Sequence, residues 1–317
     1  MTAMKAPDLA DVEAARQRIR NHVHQTPVMH SRLLDELTGS TARFKCEHLQ
    51  RVGAFKARGA FNAVLGLDDA VAAKGVATHS SGNHGAALAL AASVRGIAAH
   101  VVMPANTPAA KRAAVAAYGG HIVACEPTLA AREQALEAVL AETGAHPVHP
   151  YHDPRIIAGQ GTLALELLEQ EPDLEVVAVP VGGGGLLSGV ATVIKSLRPS
   201  IEVIGVEPAG ADDAFRSFGF GELQGQPNPV TIADGLRGAL GQLNFEIIRQ
   251  RVDTIVTVTD EEIVEAMQLL WTRLKQVVEP SGAVSFAALL AHPERFAGRR
   301  AGVILSGGNV DLDSLPW

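Results

Sequence analysis

Lys56 stands in the run Gly53-Ala54-Phe55-Lys56-Ala57-Arg58-Gly59-Ala60, among small residues and beside a phenylalanine, where an apolar-periodic helix pattern begins. A lysine desolvated in such a place loses much of its charge and becomes a nucleophile toward carbonyl groups. The same eight residues also describe a solvated helix start with Lys56 and Arg58 in water. Three further segments bear on the choice: His79-Ser80-Ser81-Gly82-Asn83-His84-Gly85, Val181-Gly182-Gly183-Gly184-Gly185-Leu186 and Leu305-Ser306-Gly307-Gly308-Asn309. Each is rich in glycine and small polar residues where a strand-to-helix turn is expected.

The run from Gly182 to Leu186 offers free backbone N–H groups and the positive end of a helix, the features of a phosphate cradle. It has neither the lysine and hydroxyl of a Walker A loop nor the spaced glycines of a dinucleotide fingerprint, and a flexible turn is the plainer alternative. Ser80 to Gly85 combines hydroxyls, an amide and a helix start, a set suited to a carboxylate and a phenolic oxygen. Helix capping by a serine or asparagine explains the same residues. In Gly205-Val206-Glu207-Pro208-Ala209-Gly210-Ala211-Asp212-Asp213, the carboxylates of Glu207 and Asp213 with the Ala211 carbonyl suit a hard cation completed by water. The alternative there is an acidic first helical turn capped by Asp212.

The elements that must hold these groups follow from periodicity. From Gly75 onward, short β-rich runs alternate with alanine-rich helical runs: strands at 76–79, 99–103 and 121–125, helices near 85–95, 108–118 and 128–142. The second half repeats this, with strands at 176–179, 203–206, 254–258 and 302–305 and helices near 186–197, 261–275 and 281–290. Such βαβ repetition predicts an α/β protein of two open parallel-sheet lobes. Pro154 fits the first turn of a helix returning to the larger lobe, and 218–229 reads as the longest loop. Ligands of open α/β sheets gather at the carboxyl ends of the strands, so the four segments are expected to face one cleft.

Composition narrows the function classes. A chain of 317 residues, 47% hydrophobic and 19% charged, buries a large core and divides naturally into two lobes. The net charge of -7, with no basic cluster interleaved with aromatics, argues against a nucleic-acid partner. Cys46 and Cys125 are far apart and lack CxxC spacing, so neither a disulfide framework nor a zinc site is indicated, and a cytoplasmic location is expected. Met1 to Ala15 lacks the apolar run of a signal peptide, and no stretch reaches the ~20 apolar residues of a membrane span.

Taken in order, the lysine, SSGNHG, GGGG and SGGN motifs resemble those of the fold-type II pyridoxal-phosphate enzymes, nearest to the serine racemase and serine/threonine dehydratase branch. The resemblance extends to Gln25-Thr26-Pro27, Ala158-Gly159-Gln160-Gly161-Thr162, Gly205-Val206-Glu207-Pro208, Thr231-Ile232-Ala233-Asp234-Gly235 and Val278-Glu279-Pro280-Ser281-Gly282, and covers about residues 20–310. It implies a large domain of 1–50 and 150–317, a small domain of 51–149, and pyridoxal 5'-phosphate in the cleft between them. Lys56 would bind the cofactor covalently and, once released, take the substrate's Cα proton. Phe55 would shape the pocket, Asn83 would donate to the phenolic oxygen, and Gly182, Gly183, Gly184, Gly185 and Leu186 would hold the phosphate. Ser306 would meet the pyridine nitrogen; a neutral serine there favours elimination over long-lived carbanion chemistry.

The resemblance further implies that Ser80, Ser81, Gly82 and His84 bind the substrate carboxylate, with Ser81 as a second acid/base in racemising members. Glu207, Ala211 and Asp213 match the metal site of serine racemase-like members, with Mg2+ expected and Ca2+ or Mn2+ also suited. Ala54 departs from the serine of many dehydratases. Arg132 lies where related enzymes place a guanidinium near a second substrate carboxylate; a surface arginine on an amphipathic helix is its alternative. His149, Tyr151, His152 and Arg155 are further candidates to line the cleft. The expected activity is dehydration of serine or threonine to a 2-oxo acid and ammonia, with 3-hydroxyaspartate dehydration or serine racemisation as alternatives. The expected assembly is a homodimer, and the end of the chain at Trp317 leaves no room for a regulatory domain.

Overall fold

A computed structural model describes residues 5–317. Met1 to Met4, part of the Met1–Ala15 segment and of the 1–50 stretch assigned to the large domain, lie outside the described residues. The chain opens with α1 (Leu9–Ile19), β1 (Val28–Met29), α2 (Arg32–Thr38), β2 (Thr41–Lys45), α3 (Lys56–Leu65) and the short α4 (Asp69–Ala72). Strand-helix alternation then runs through β3 (Val76–His79), α5 (Asn83–Arg95), β4 (Ala99–Pro104), α6 (Ala109–Ala117), β5 (His121–Cys125), α7 (Leu129–Thr143) and β6 (His146–Pro147). After α8 (Pro154–Gln170) come β7 (Val176–Pro180), α9 (Gly185–Leu197), β8 (Glu202–Pro208), α10 (Asp213–Phe220), α11 (Gln242–Arg251), β9 (Thr254–Val258), α12 (Asp260–Leu269), α13 (Pro280–Ala291), α14 (Pro293–Phe296) and β10 (Arg300–Ile304).

These strands form two sheets, a four-stranded one ordered β5-β4-β3-β6 and a six-stranded one ordered β1-β2-β10-β7-β8-β9. Central strands such as β7 are buried along their whole length, as a parallel sheet covered by helices on both faces requires. The expected two-sheet α/β architecture is present, with one correction: β1 pairs antiparallel with β2, so the larger sheet is not wholly parallel. The connection through α2 is too short for the usual parallel crossover. Two boundaries also differ. The stretch read as a loop at 218–229 begins as helix, because α10 runs to Phe220 before Gly221 turns at φ +75°. The helix expected over 261–275 ends as α12 at Leu269 and closes through a π-turn over 270–274. Among the described residues, no helix is long and apolar enough to cross a membrane.

Register places the site. Ile304 of β10 lies opposite Lys45 of β2, so the segments leaving both strands emerge side by side. The loop before α3 then pairs with the loop after β10: Phe55 N–H donates to Ser306 O at 3.1 Å, and Gly308 N–H to Gly53 O at 2.9 Å. α3 is held from its other side by a buried ion cluster. Arg58, with no solvent exposure, makes paired hydrogen bonds to Glu47 at 2.8 and 2.8 Å and to Glu166 of α8 at 2.7 and 2.8 Å. Lys45 Nζ completes it with Glu166 Oε2, Thr26 O and Gln170 Oε1, each at 2.8 Å. Burial alone would raise the Glu47 carboxyl, yet Arg58, Lys45 and Thr26 outweigh it and hold the group below its ordinary range.

Candidate active site

Lys56 opens α3, with its Nζ 5.0 Å from the centre of the Phe55 ring and donating to Pro150 O at 3.1 Å. Burial lowers its pKa to about 8, opposed in part by Glu279 only when that carboxyl is ionised. An amine of that basicity is unprotonated for a useful fraction of time near neutral pH, as a nucleophile or base requires.

The glycine loop between β7 and α9 packs against Tyr151, the residue after the Pro150 carbonyl that Lys56 meets. A side chain at Gly183 or Gly185 would strike Tyr151, and one at Gly182 would press on the Leu236 backbone. Gly184 turns at φ +88° against Leu240 and Asn244, whose Nδ2 donates to Tyr151 O at 3.0 Å and to Gly183 O. Among the described residues, the backbone N–H groups of Gly182 to Leu186 donate to no acceptor. Five such donors at a helix N-terminus form a cradle for a phosphate.

At the start of α5, Ser80 Oγ accepts from the N–H groups of Gly82 and Gly85, both at 3.3 Å. The Ser81 hydroxyl is partly exposed and bonded to nothing among the described residues. Asn83 Nδ2 donates to Glu279 Oε1 at 2.7 Å, and Asn309 Nδ2 to Asn83 Oδ1 at 2.8 Å. The His84 imidazole is buried, within 3.3 Å of Val148 O, and burial with Lys56 pushes its pKa well below the usual value. As a residue of the first turn of α5, His84 still offers its backbone N–H, which has no intrahelical acceptor.

Ser306 Oγ is buried and donates to Ser281 O at 3.2 Å. Arg132 on α7 makes no ion pair among the described residues, and its Nε is buried without a partner. Its charge, after burial, lowers the pKa of His79. From there edge-to-face ring contacts lead to Tyr151 beside the glycine loop: His79 to His149 at 6.0 Å, then His149 to Tyr151 at 4.6 Å. His149 is driven down to about 4 by burial and by the neighbouring His79, His152 and Lys56, so its imidazole is uncharged near neutral pH. Arg155 is set apart, tied to Asp153 at 2.6 and 3.0 Å.

Glu207 lies at the end of β8 and Asp213 opens α10. Glu207 is fully buried and caps α10, accepting from Ala214 N–H at 3.1 Å and Phe215 N–H at 2.7 Å, whereas Asp212 pairs with Arg216 instead of capping. Burial and Asp213 raise the Glu207 pKa to about 9, against the pull of those two N–H groups. Asp213 Oδ2 accepts from Leu240 N–H at 2.7 Å while Oδ1 is buried without a donor. Among the described residues, no group of three or more His, Cys, Asp or Glu side chains has the arrangement of a metal centre. Two carboxyls and the Ala211 carbonyl offer a donor set for a hard cation whose remaining ligands are water.

Sequence reasoning assigned no role to Glu279, Asn309, Asn244 or the Pro150 carbonyl. The first two lie inside motifs that were singled out, but their partners are 196 and 226 residues away.

A two-sheet α/β framework, a lysine of lowered basicity and a phosphate cradle at strand ends define an enzyme built around a phosphate-bearing cofactor. Residues 19–307 match the family of pyridoxal-phosphate dependent enzymes, and the chain belongs to it. It is 52% identical over 99% of its length to the whole of a β-hydroxyaspartate dehydratase from Paracoccus denitrificans (strain Pd 1222). Among solved structures it is similar to maize serine racemase, with TM-score 0.95, 46% identity and 98% of this chain and 95% of that one covered. It is likewise similar to a threonine deaminase from T.th., with TM-score 0.92, 47% identity and 96% and 99% covered. The protein is a pyridoxal-phosphate-dependent lyase of the dehydratase kind.

Proposed function

We propose that the enzyme dehydrates 3-hydroxyaspartate, yielding oxaloacetate and ammonia. Arg132 carries this reading: a guanidinium with an unpartnered buried Nε, free of any ion pair among the described residues, whose charge acts on His79 at the far end of the edge-to-face rings that run from Tyr151 through His149. A second substrate carboxylate is the natural partner for it. The name of the Paracoccus denitrificans relative supports the same substrate.

In this reading Lys56 would hold the cofactor covalently, the N–H groups of Gly182 to Leu186 would take its phosphate, Phe55 would lie by the ring, Asn83 would serve the phenolic oxygen and Ser306 the pyridine nitrogen. The bound cofactor supplies the electron sink that makes the substrate Cα–H acidic. Lys56, whose basicity is lowered by burial, would take the α-proton. Ser80, Ser81, Gly82 and the His84 N–H hold the α-carboxylate at the α5 N-terminus, and Arg132 holds the β-carboxylate. Hydroxide leaves Cβ, and the water lost there is regained when the released imine hydrolyses, so 3-hydroxyaspartate gives oxaloacetate plus ammonia with no oxidant. Glu207, Asp213 and the Ala211 carbonyl hold Mg2+, or Ca2+ or Mn2+, in a structural role away from the reacting atoms.

The test is turnover of a panel of 3-hydroxyaspartate isomers, L-serine and L-threonine by wild type and Arg132→Ala. Truncating a charged partner should lower kcat/KM on 3-hydroxyaspartate by about 30- to 1000-fold while sparing threonine. An equal loss on all substrates sinks the reading. A second reading, elimination with racemisation of serine, rests on the unpartnered Ser81 hydroxyl. Formation of D-serine that Ser81→Ala abolishes, with elimination intact, would favour it.

A further inference from the structure

Asn83 belongs to a chain of side-chain hydrogen bonds that begins on a strained peptide. Val52 has φ +58°, a left-handed conformation that a β-branched residue rarely adopts, and its carbonyl accepts from Asn309 Nδ2 at 2.7 Å. The second hydrogen of that Nδ2 goes to Asn83 Oδ1 at 2.8 Å. Asn83 Nδ2 in turn donates to Glu279 Oε1 at 2.7 Å. A backbone carbonyl only accepts, so Val52 fixes which end of the Asn309 amide faces it, and Asn309 then fixes Asn83. Asn309 has spent both amide hydrogens; Asn83 has spent its oxygen and one hydrogen. One Asn83 N–H is left.

The surroundings leave these side chains little room to move. A side chain at Gly307 would strike the Glu279 carboxyl, and one at Gly53 would press on the Asn309 amide. The Glu279 N–H donates to Gly307 O at 3.1 Å, tying the start of α13 to the loop after β10.

We propose that Glu279 and Asn309 are positioning residues, which together lock the Asn83 amide so that its one remaining N–H serves the phenolic oxygen of the pyridoxal ring. The proposal rests on the Asn83 role given above and is independent of the choice of substrate. Glu279 also suits the place as a neutral acid. Burial and Asp234 push it up to about 8, against the pull of Asn83 and of Lys111 on α6. The other charged group facing it is Lys56 on α3. A protonated Glu279 adds no negative charge beside an oxygen that gains from being anionic.

The experiment compares Asn309→Asp, Glu279→Ala, Glu279→Gln and Asn83→Ala as holoenzymes, reading the cofactor's visible band against pH, cofactor affinity, kcat and KM. Asn309→Asp keeps the size but sets an acceptor against Asn83 Oδ1; because Asn309 is exposed, folding should survive. With Asn309→Asp and Glu279→Ala, the pH midpoint of the band should move by about one unit. Their kcat should fall by about 10- to 100-fold, with KM changed by less than about threefold. Glu279→Gln retains the acceptor and should stay within about threefold of wild-type kcat while losing Glu279's contribution to the pH profile. A band unmoved in Asn309→Asp and Glu279→Ala, but moved in Asn83→Ala, overturns the positioning roles alone. A band unmoved in all three overturns the Asn83 role and this proposal with it. If Glu279→Ala melts early, Asn309→Asp decides.

Discussion

Two clusters of buried polar groups flank the first turn of α3, and they differ in how completely their valences are met. Around Arg58, two cations face two carboxylates and every charged group has its hydrogen-bond partners. Around Lys56, among the described residues, the amine has one carbonyl, the glycine-loop N–H groups have no acceptor and Asn83 keeps one hydrogen; Arg132 Nε, on α7, is likewise without a partner. The pKa values follow the same division. Glu47 is held low because its partners outweigh burial, whereas burial wins at Lys56, Glu279 and Glu207. A closed network fixes geometry; an open one stores binding capacity, since each unmet group is a cost that a ligand can remove.

Breaking the open cluster should cost activity and little stability. Lys56→Ala should reduce turnover by about four orders of magnitude or more. The melting temperature of its cofactor-free form should stay within a few degrees of wild type, because the amine makes a single hydrogen bond. A variant that melts far below wild type would mean that Lys56 belongs with the structural cluster. The closed cluster should respond in the opposite way. Arg58→Met leaves Glu47 and Glu166 buried with Lys45 as their only cation, so about 3–5 kcal/mol of stability should be lost in urea unfolding. Unchanged stability would show that the cluster is not what anchors α3.

A third substitution sharpens the comparison within the open cluster. Gly183→Ala puts a methyl group against the Tyr151 ring and should displace one wall of the phosphate cradle. Cofactor affinity should fall about 10- to 100-fold, read by titrating the visible band. Saturating cofactor should recover most of kcat. Loss of kcat that saturation does not recover would place Gly183 closer to the chemistry than the loop reading allows.

The open cluster was largely legible from sequence and the closed one was not. Lys56, the serine-glycine turn, the glycine loop and Ser306 announce themselves locally, because glycines, hydroxyls and a lysine at strand ends have few other reasons to occur together. Arg58 is adjacent to Lys56 on α3, yet its partners Glu47 and Glu166 are 11 and 108 residues away, and nothing in the spacing joins them. The same holds for Asn83, Glu279 and Asn309. What the motif does not tell is which group of His84 faces the turn: the first turn of α5 rotates its imidazole inward and leaves the backbone N–H. β1 was missed because two residues carry no periodicity.

The smallest expected effect concerns the carboxyl pair at the end of β8 and the start of α10, which joins the open cluster by the same criterion. Glu207 is raised to about 9 by burial and Asp213, and Asp213 is raised by burial. Folded protein therefore binds more protons than unfolded protein between the ordinary carboxyl range and about pH 9, so without a cation these groups lower stability as pH rises through that window. A divalent cation replaces those protons and should reverse the trend. Added Mg2+ should raise the melting temperature by a few degrees, more at about pH 8.5 than at about pH 5.5, because at the lower pH protons compete for the same oxygens. Asp213→Asn should erase the Mg2+ increment and flatten its pH dependence. An increment that is independent of pH, or that persists in Asp213→Asn, would place the cation elsewhere and leave Glu207 as a helix cap alone.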